Sequence, residues 1–243
     1  MDVILPDGFV SDLGMVFDHV KIGELTGKQQ NYLTDIDNLQ SGLSHIDKLL
    51  KDLVLEFWSD DGSKFMGNKD DALKRISTND IETILIKIRE ATFGPTYLFK
   101  AVCPHCEAEN DLKLDLSKLE IKQSAKDQKG KTLDIVLPKS QQKAQLKLMG
   151  LEALHKSFTM FQKHKSELVT TTAAMVLASL GEKKNPQPKD LENLPIMDIK
   201  YINDRFQEMG GKIDTDVIHE CKKCKKEFPT KLNVISPNFY SLG

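Results

Sequence analysis

Asn79-Asp80-Ile81-Glu82-Thr83-Ile84-Leu85-Ile86-Lys87-Ile88-Arg89-Glu90, followed by Val102-Cys103-Pro104-His105-Cys106-Glu107, is the stretch on which the fold turns. Its pattern returns downstream as Met197-Asp198-Ile199-Lys200-Tyr201-Ile202-Asn203-Asp204-Arg205-Phe206-Gln207-Glu208, followed by Glu220-Cys221-Lys222-Lys223-Cys224-Lys225-Lys226. One ungapped offset sets Asp80 on Asp198, Ile81 on Ile199, Ile84 on Ile202, Lys87 on Arg205, Ile88 on Phe206 and Glu90 on Glu208. The same offset superposes both cysteine pairs, sets Lys113-Leu114 on Lys231-Leu232 and sets Leu116 on Val234. Agreement across helix, connection, knuckle and strand points to an internal duplication rather than to two similar helices.

A looser echo lies upstream, where Val3-Ile4-Leu5-Pro6 resembles Ile135-Val136-Leu137-Pro138 and Leu25-Thr26-Gly27 resembles Leu148-Met149-Gly150. These need other offsets, so the loops differ in length. The expected division is a first half over 1–121, a polar linker over 122–131 without an apolar face, and a second half over 132–243.

All four cysteines of the chain fall in the two repeated pairs. A Cys-x-x-Cys turn lets two thiolates converge on one tetrahedral ion, because amides in the tight turn can donate to sulfur. In a reducing compartment such pairs favour metal over disulfides. Each pair precedes an alternating, strand-like segment: Leu112, Leu114 and Leu116 after the first, Leu232 and Val234 after the second. Knuckles followed by strands are the ingredients of a zinc ribbon. The expectation is therefore one structural Zn2+ held by Cys103, Cys106, Cys221 and Cys224, each half supplying one knuckle. Such a site has no open coordination position, so it stabilises rather than catalyses. A thioredoxin-type redox pair would need a helix after the cysteines, and the lysine-rich second pair has no such signal. His105 and His219 are near enough to substitute as ligands, but with four cysteines present they read as outer neighbours or exposed residues.

The 243 residues suffice for one large domain or two modest ones, and 40% hydrophobic with 29% charged residues is ordinary for a soluble globular chain. A net charge of -2 carries no basic bias, which makes nucleic acid an unlikely partner. Met1 to Pro6 lacks the basic start and apolar run of a signal peptide. Leu168 to Leu180 is too short to cross a bilayer, which takes about 20 apolar residues. These features fit a cytosolic product without membrane contact.

Periodicity predicts a mainly helical α+β fold with small β elements near the Leu-Pro segments and the cysteines. Leu39, Leu43, Ile46, Leu49, Leu50, Leu53 and Phe57 recur at helical spacing, giving an amphipathic helix over roughly 35–58. Ser77 or Thr78 can cap the helix that carries Ile81, Ile84, Leu85 and Ile88, and Gly94-Pro95 ends it. Leu151, Leu154, Phe158 and Phe161 suggest another helix. Leu168 to Leu180 suggest a further one closed by Gly181, before a polar link to Asp190, and 198–209 repeats the helix that precedes the first knuckle.

No catalytic constellation is apparent. The glycines are scattered, and no H-E-x-x-H, G-x-S-x-G or S-x-x-K arrangement with partners occurs. Asp7-Gly8 and Asp61-Gly62 read as turns. Asp80 and Asp198 sit in first helical turns, where the dipole favours carboxylates. Trp58 reads as a core or interface anchor. Lys222, Lys223, Lys225 and Lys226 read as solvated lysines around a negative zinc-thiolate group, although contact with nucleic-acid phosphate is the competing use.

The duplicated Leu-Pro opening, the Leu-Thr-Gly turn, the Ile81–Arg89 helix with Phe93-Gly94-Pro95 and Tyr97, and Cys103-Pro104-His105-Cys106 together resemble the baseplate-hub and hub-assembly proteins of T-even-type contractile-tailed bacteriophages. The likeness is one of pattern over most of the chain. It implies a non-enzymatic virion or assembly protein, located in the baseplate or in the host cytoplasm during assembly, with the central hub and the tape-measure protein as partners. The second half departs from the pattern, with Met209-Gly210-Gly211 where the first has Phe-Gly-Pro. The competing class is a zinc-ribbon factor associated with nucleic acid.

Overall fold

The computed structural model describes residues 1–34, 43–125, 129, 132–156 and 168–241. The chain starts with β1 (Asp2–Val10) and β2 (Val16–Ile22), then α1 (Gly27–Thr34) and α2 (Ser44–Leu53), then β3 (Val54–Trp58). These three strands form an antiparallel sheet in the order β1-β2-β3. The register of β1 on β2 shifts between Ile4 and Phe9. Pro6-Asp7-Gly8 lies in that irregularity: proline has no amide to give to a ladder, and Gly8 takes a φ of +63°. A side chain at Gly8 would meet the Phe17 carbonyl at 2.6 Å, so glycine is required there.

Two helices then complete the first core, α3 (Lys69–Arg75) and α4 (Thr78–Phe93). Ser77 caps α4 in a reciprocal box with Asp80, and Gly94 ends it with a φ of +79°. Ile81, Ile84, Leu85, Ile86 and Ile88 are all 0% exposed, so α4 is buried on more than one face. Each such side chain contributes about 1.5–3 kcal/mol by leaving water. Across the sheet, Phe9 packs against Phe17, Phe57 and Phe65 with ring centroids 5.1–5.4 Å apart.

After α4 come the hairpin β4 (Thr96–Val102) and β5 (Glu109–Asp115), and the short β6 (Ile121–Lys122). The strands β7 (Leu133–Val136), β8 (Lys143–Leu146), β9 (Leu177–Leu180) and β10 (Lys183–Lys184) form a second sheet, ordered β10-β9-β8-β7. Helices α5 (Leu168–Met175), α6 (Pro188–Leu191) and α7 (Ile196–Glu208) complete the second, smaller core. The chain then crosses back. β11 (Lys212–Ile213) pairs with β6, and the hairpin β12 (Asp216–Glu220) and β13 (Glu227–Lys231) follows. Ile213, Leu232, Val234, Phe239 and Tyr240 are buried with the first core, not the second.

The structure corrects the mainly helical expectation. The protein is α+β with 36% helix, 31% strand and several small sheets. Two apolar runs assigned to helix by their spacing are strands in part. The helix expected over 35–58 ends at Leu53, and Val54 to Trp58 pairs with β2; Val54 and Phe57 are buried there. Residues 35–42 of that expected helix lie outside the described residues. Likewise Leu177–Leu180 leaves the helix for β9, paired on both sides. Segments of four or five residues fit either period; Val54, Phe57 and Trp58 favour a strand by their own propensity, whereas Leu177-Ala178-Ser179-Leu180 becomes one through its pairing on both sides. Residues 151–156 are helical, whereas Phe158 and Phe161 lie outside the described residues. Within 122–131, Lys122 belongs to β6, Ser124 is buried against Asp7, and Lys129 is buried against Asp18; the other described residues, Gln123 and Ala125, are exposed.

Candidate metal centre

The two Cys-x-x-Cys turns are the ends of the β4–β5 and β12–β13 hairpins, and they are built alike. In the first, the Cys103 amide donates to the Ala108 carbonyl at 3.0 Å and the Glu107 amide to the Cys103 carbonyl at 2.9 Å. In the second, the Cys221 amide donates to Lys226 at 3.0 Å and the Lys225 amide to Cys221 at 2.9 Å. Glu107 and Lys225 both adopt the left-handed conformation, at φ of +59° and +60°. That conformation turns the chain back so that both thiols of a pair point to one side.

The hairpins face each other through these turns. Cys103 Sγ lies 3.7 Å from Cys224 Sγ, Cys106 Sγ lies 3.7 Å from Cys221 Sγ, and all four sulfurs are within 4.8 Å of one another. A tetrahedral ion with metal–sulfur bonds of about 2.3 Å requires sulfur separations of about 3.75 Å. Cys103 and Cys221 are fully buried, and Leu112 and Phe228 pack beside them. The cluster can therefore hold one metal ion, and four sulfur donors at this spacing suit zinc or another thiolate-seeking ion.

Electrostatics prepare one thiolate in particular. Cys221 is drawn down to about 6 by the Cys224 amide, helped by the Lys223 amide, the Asn110 side chain and Cys106. At Cys106 the Ala108 amide acts against the shift, but desolvation and the three other thiols outweigh it and push the thiol up to about 11. Asn110 is the residue that sequence reasoning missed. It is 1% exposed, its Nδ2 donates to Cys221 Sγ at 3.6 Å, and its Oδ1 accepts from the Lys222 amide at 2.9 Å. It thus ties the first hairpin to the second knuckle. Phe228 occupies the repeat-equivalent position, and that contrast was the available signal.

The other candidates fall elsewhere. His105 contacts the Glu227 carbonyl at 3.3 Å and is not among the clustered ligand atoms. His219 packs between Phe99 and Phe228, and burial holds its ring below the ordinary histidine value. Lys222, Lys223, Lys225 and Lys226 are exposed, with Lys225 3.6 Å from Glu220. Asp61-Gly62 is a turn, and Trp58 is half-buried against His19. Arg89 is buried among Phe93, Tyr97 and Phe239, with centroid distances of 5.0, 4.6 and 5.5 Å, which gives the helix end a packing role through cation–π contact.

Asp80 and Asp198 do more than sit on a helix dipole. Asp80 accepts the amides of Asp7 at 2.8 Å and Gly8 at 3.2 Å, next to its own cap partner Ser77. Asp198 accepts the amides of Lys139 and Ser140, both at 2.8 Å. In both places the two amides follow a Leu-Pro pair.

A family model described as T4 bacteriophage base plate protein matches residues 17–239, nearly the whole chain. The chain belongs to that family. No curated protein and no solved structure matches it. As a T4-type base plate protein it is a structural component of the phage baseplate, and its setting is one of contacts with other tail proteins. Among the described residues of this base plate protein, no helix is long and apolar enough to cross a membrane.

Proposed function

We propose that the chain is a non-enzymatic baseplate component placed beside the central hub and the tape-measure protein, and that one structural zinc ion ties its two duplicated halves together. The ion is held by Cys103, Cys106, Cys221 and Cys224. The observation that carries this reading is the convergence of four sulfurs from two hairpins separated by more than a hundred residues of chain. A cross-link that closes so long a loop restricts the unfolded state strongly. Matching turn hydrogen bonds in the two knuckles, and matching carboxylate contacts after the two Leu-Pro pairs, support the duplication of 1–121 in 132–243, with 122–131 between them. The likeness of the first helix end and first knuckle to hub and hub-assembly proteins supports the place beside the hub.

Metal analysis of the purified full chain should give one zinc per molecule. Cys103→Ser and Cys221→Ser should each lose it and lower the melting temperature by roughly 10 °C or more. If Cys221→Ser keeps the zinc and the stability of the first half, the bridging arrangement is wrong. Co-expression with the phage's hub and tape-measure proteins should recover a complex of defined composition. Recovery only with peripheral baseplate proteins would remove the hub placement and leave the zinc reading untouched.

A further inference from the structure

Asp18 and His19 are neighbours on β2, and Asp60 lies just beyond β3, near Trp58, which stands opposite His19 in the ladder. Asp18 is 4% exposed. Lys129 holds its Oδ2, while its Oδ1 is buried and makes no hydrogen bond. That orphaned oxygen faces the His19 ring, with Nε2 3.7 Å away. On the other side Nε2 is 3.0 Å from Asp60 Oδ1. These three ligand-type atoms all lie within 4.8 Å of one another.

We propose that Asp18 Oδ1, His19 Nε2 and Asp60 Oδ1 form a second metal site, distinct from the four sulfurs, for a divalent transition ion. Bonds of about 2.0–2.2 Å to nitrogen and oxygen set neighbouring donors about 3.3 Å apart in a tetrahedral shell, and the two measured separations straddle that value. Asp60, with a side chain 60% exposed, can move the few tenths of an ångström required. One imidazole with two carboxylates suits borderline ions such as Zn2+, Co2+ or Ni2+; Ca2+ would need six or more oxygens. Lys129 fixes the Asp18 carboxylate with one oxygen engaged and the other presented, as outer partners of metal ligands do. His19 and Asp60 both reach solvent, so water can complete the shell. An ion there would pin the turn after β3 to β2.

Trp58 is the chain's single tryptophan and stacks on His19, with centroids 5.6 Å apart and planes 20° from parallel. An open-shell ion bound to His19 therefore quenches its fluorescence. Ni2+ titrated into the zinc-loaded full chain should give saturable quenching that a chelator reverses. Asp60→Asn should raise the half-saturating concentration about tenfold or more. His19→Phe keeps a ring on Trp58 but has no ligand nitrogen, so it should abolish the response while zinc content and circular dichroism stay unchanged. An unquenched wild-type protein at millimolar Ni2+, or His19→Phe quenched with the wild-type half-point, overturns the site.

Discussion

Asp80 and Asp198 each stand in the first turn of a helix and grip the two amides that follow a Leu-Pro pair, yet they are in opposite electrostatic states. Burial pushes Asp80 up to about 7, with the neighbouring Asp7 carboxylate adding to the shift against the pull of three backbone amides. Burial also acts on Asp198, but the Lys139 amide and the Ser140 donors outweigh it and hold that carboxyl below the usual range. Beyond burial, the two sites differ at one position, because the residue after Leu-Pro is Asp7 at one and Lys139 at the other. Asp7 is 0% exposed and accepts from Ser77 Oγ at 2.6 Å, Asn79 Nδ2 at 3.1 Å, Ser124 Oγ and the Gly211 amide at 2.6 Å. Those partners come from the start of α4, from Ser124 and from the backbone just beyond α7. Where one Leu-Pro pair is followed by an exposed lysine, the other is followed by a buried carboxylate that ties three distant parts of the chain together.

The sharpest way to break the comparison is to delete both gripping carboxylates in turn. Asp80→Ala leaves the buried amides of Asp7, Gly8 and Ser77 without an acceptor, which should cost about 4 kcal/mol in urea unfolding. Asp198→Ala strands only the amides of Lys139 and Ser140, where Lys139 is exposed and water can substitute. Its loss should be about 1–2 kcal/mol. Equal losses would mean that the knot around Asp7 does not set the first site apart.

The two helix ends offer a second, smaller contrast. Where the first half has Phe-Gly-Pro, the second has Met209-Gly210-Gly211, and the structure gives the reason. A Cβ on Gly211 would lie 2.5 Å from the Lys122 carbonyl and 2.7 Å from Pro6 Cβ, and one on Gly210 would lie 2.9 Å from Asp7 Oδ1. Backbone beyond α7 rests directly on Pro6 and Lys122, so Gly211→Ala should cost about 3 kcal/mol or more. Gly94, at the end of α4, has a φ of +79° but open space around its Cβ position. Gly94→Ala should therefore cost only the strain of a backbone conformation almost exclusive to glycine (φ +79°, ψ 176°), about 2 kcal/mol.

Local chemistry explains which parts were legible in advance. A knuckle is specified by four consecutive residues, so both cysteine pairs were readable, and Ser77, Asp80 and Gly94 mark the limits of α4 within their own neighbourhood. Val54–Trp58 and Leu177–Leu180 were misassigned because an apolar run that short has no period of its own; pairing with β2 and β8 decides it. β4 and β12, which carry the cysteines to their turns, alternate too weakly to stand out. The inward turn of Asp7, the Asn110 bond to Cys221 and the return of Ile213 to Tyr240 to the first core depend on partners far away in the chain. Only the interrupted repeat hinted at them: Asp7 against Lys139, Asn110 against Phe228, and Gly210-Gly211 against Thr92-Phe93.

The smallest effect is the most specific one, because Asp80 and Asp198 should respond to pH with opposite sign. An unfolded aspartate titrates near about 3.9. Asp80 holds its proton more tightly in the folded chain, so its contribution is fully present below that value and is lost as pH rises towards 7. Asp198 is held below the usual range, so its contribution is present above about pH 3.9 and is lost as pH falls through its folded value. Asp7→Asn keeps an oxygen for the Gly211 amide but removes the charge beside Asp80. Stability measured by urea unfolding from pH 5 to 7.5 should therefore decline less steeply in Asp7→Asn than in the wild type, by about 1–2 kcal/mol over that range. The two proteins differ only at position 7, so the difference between the two curves isolates the carboxylate pair. Parallel curves from pH 5 to 7.5 would mean that burial alone sets the state of Asp80, and that Asp7 acts only through its hydrogen bonds.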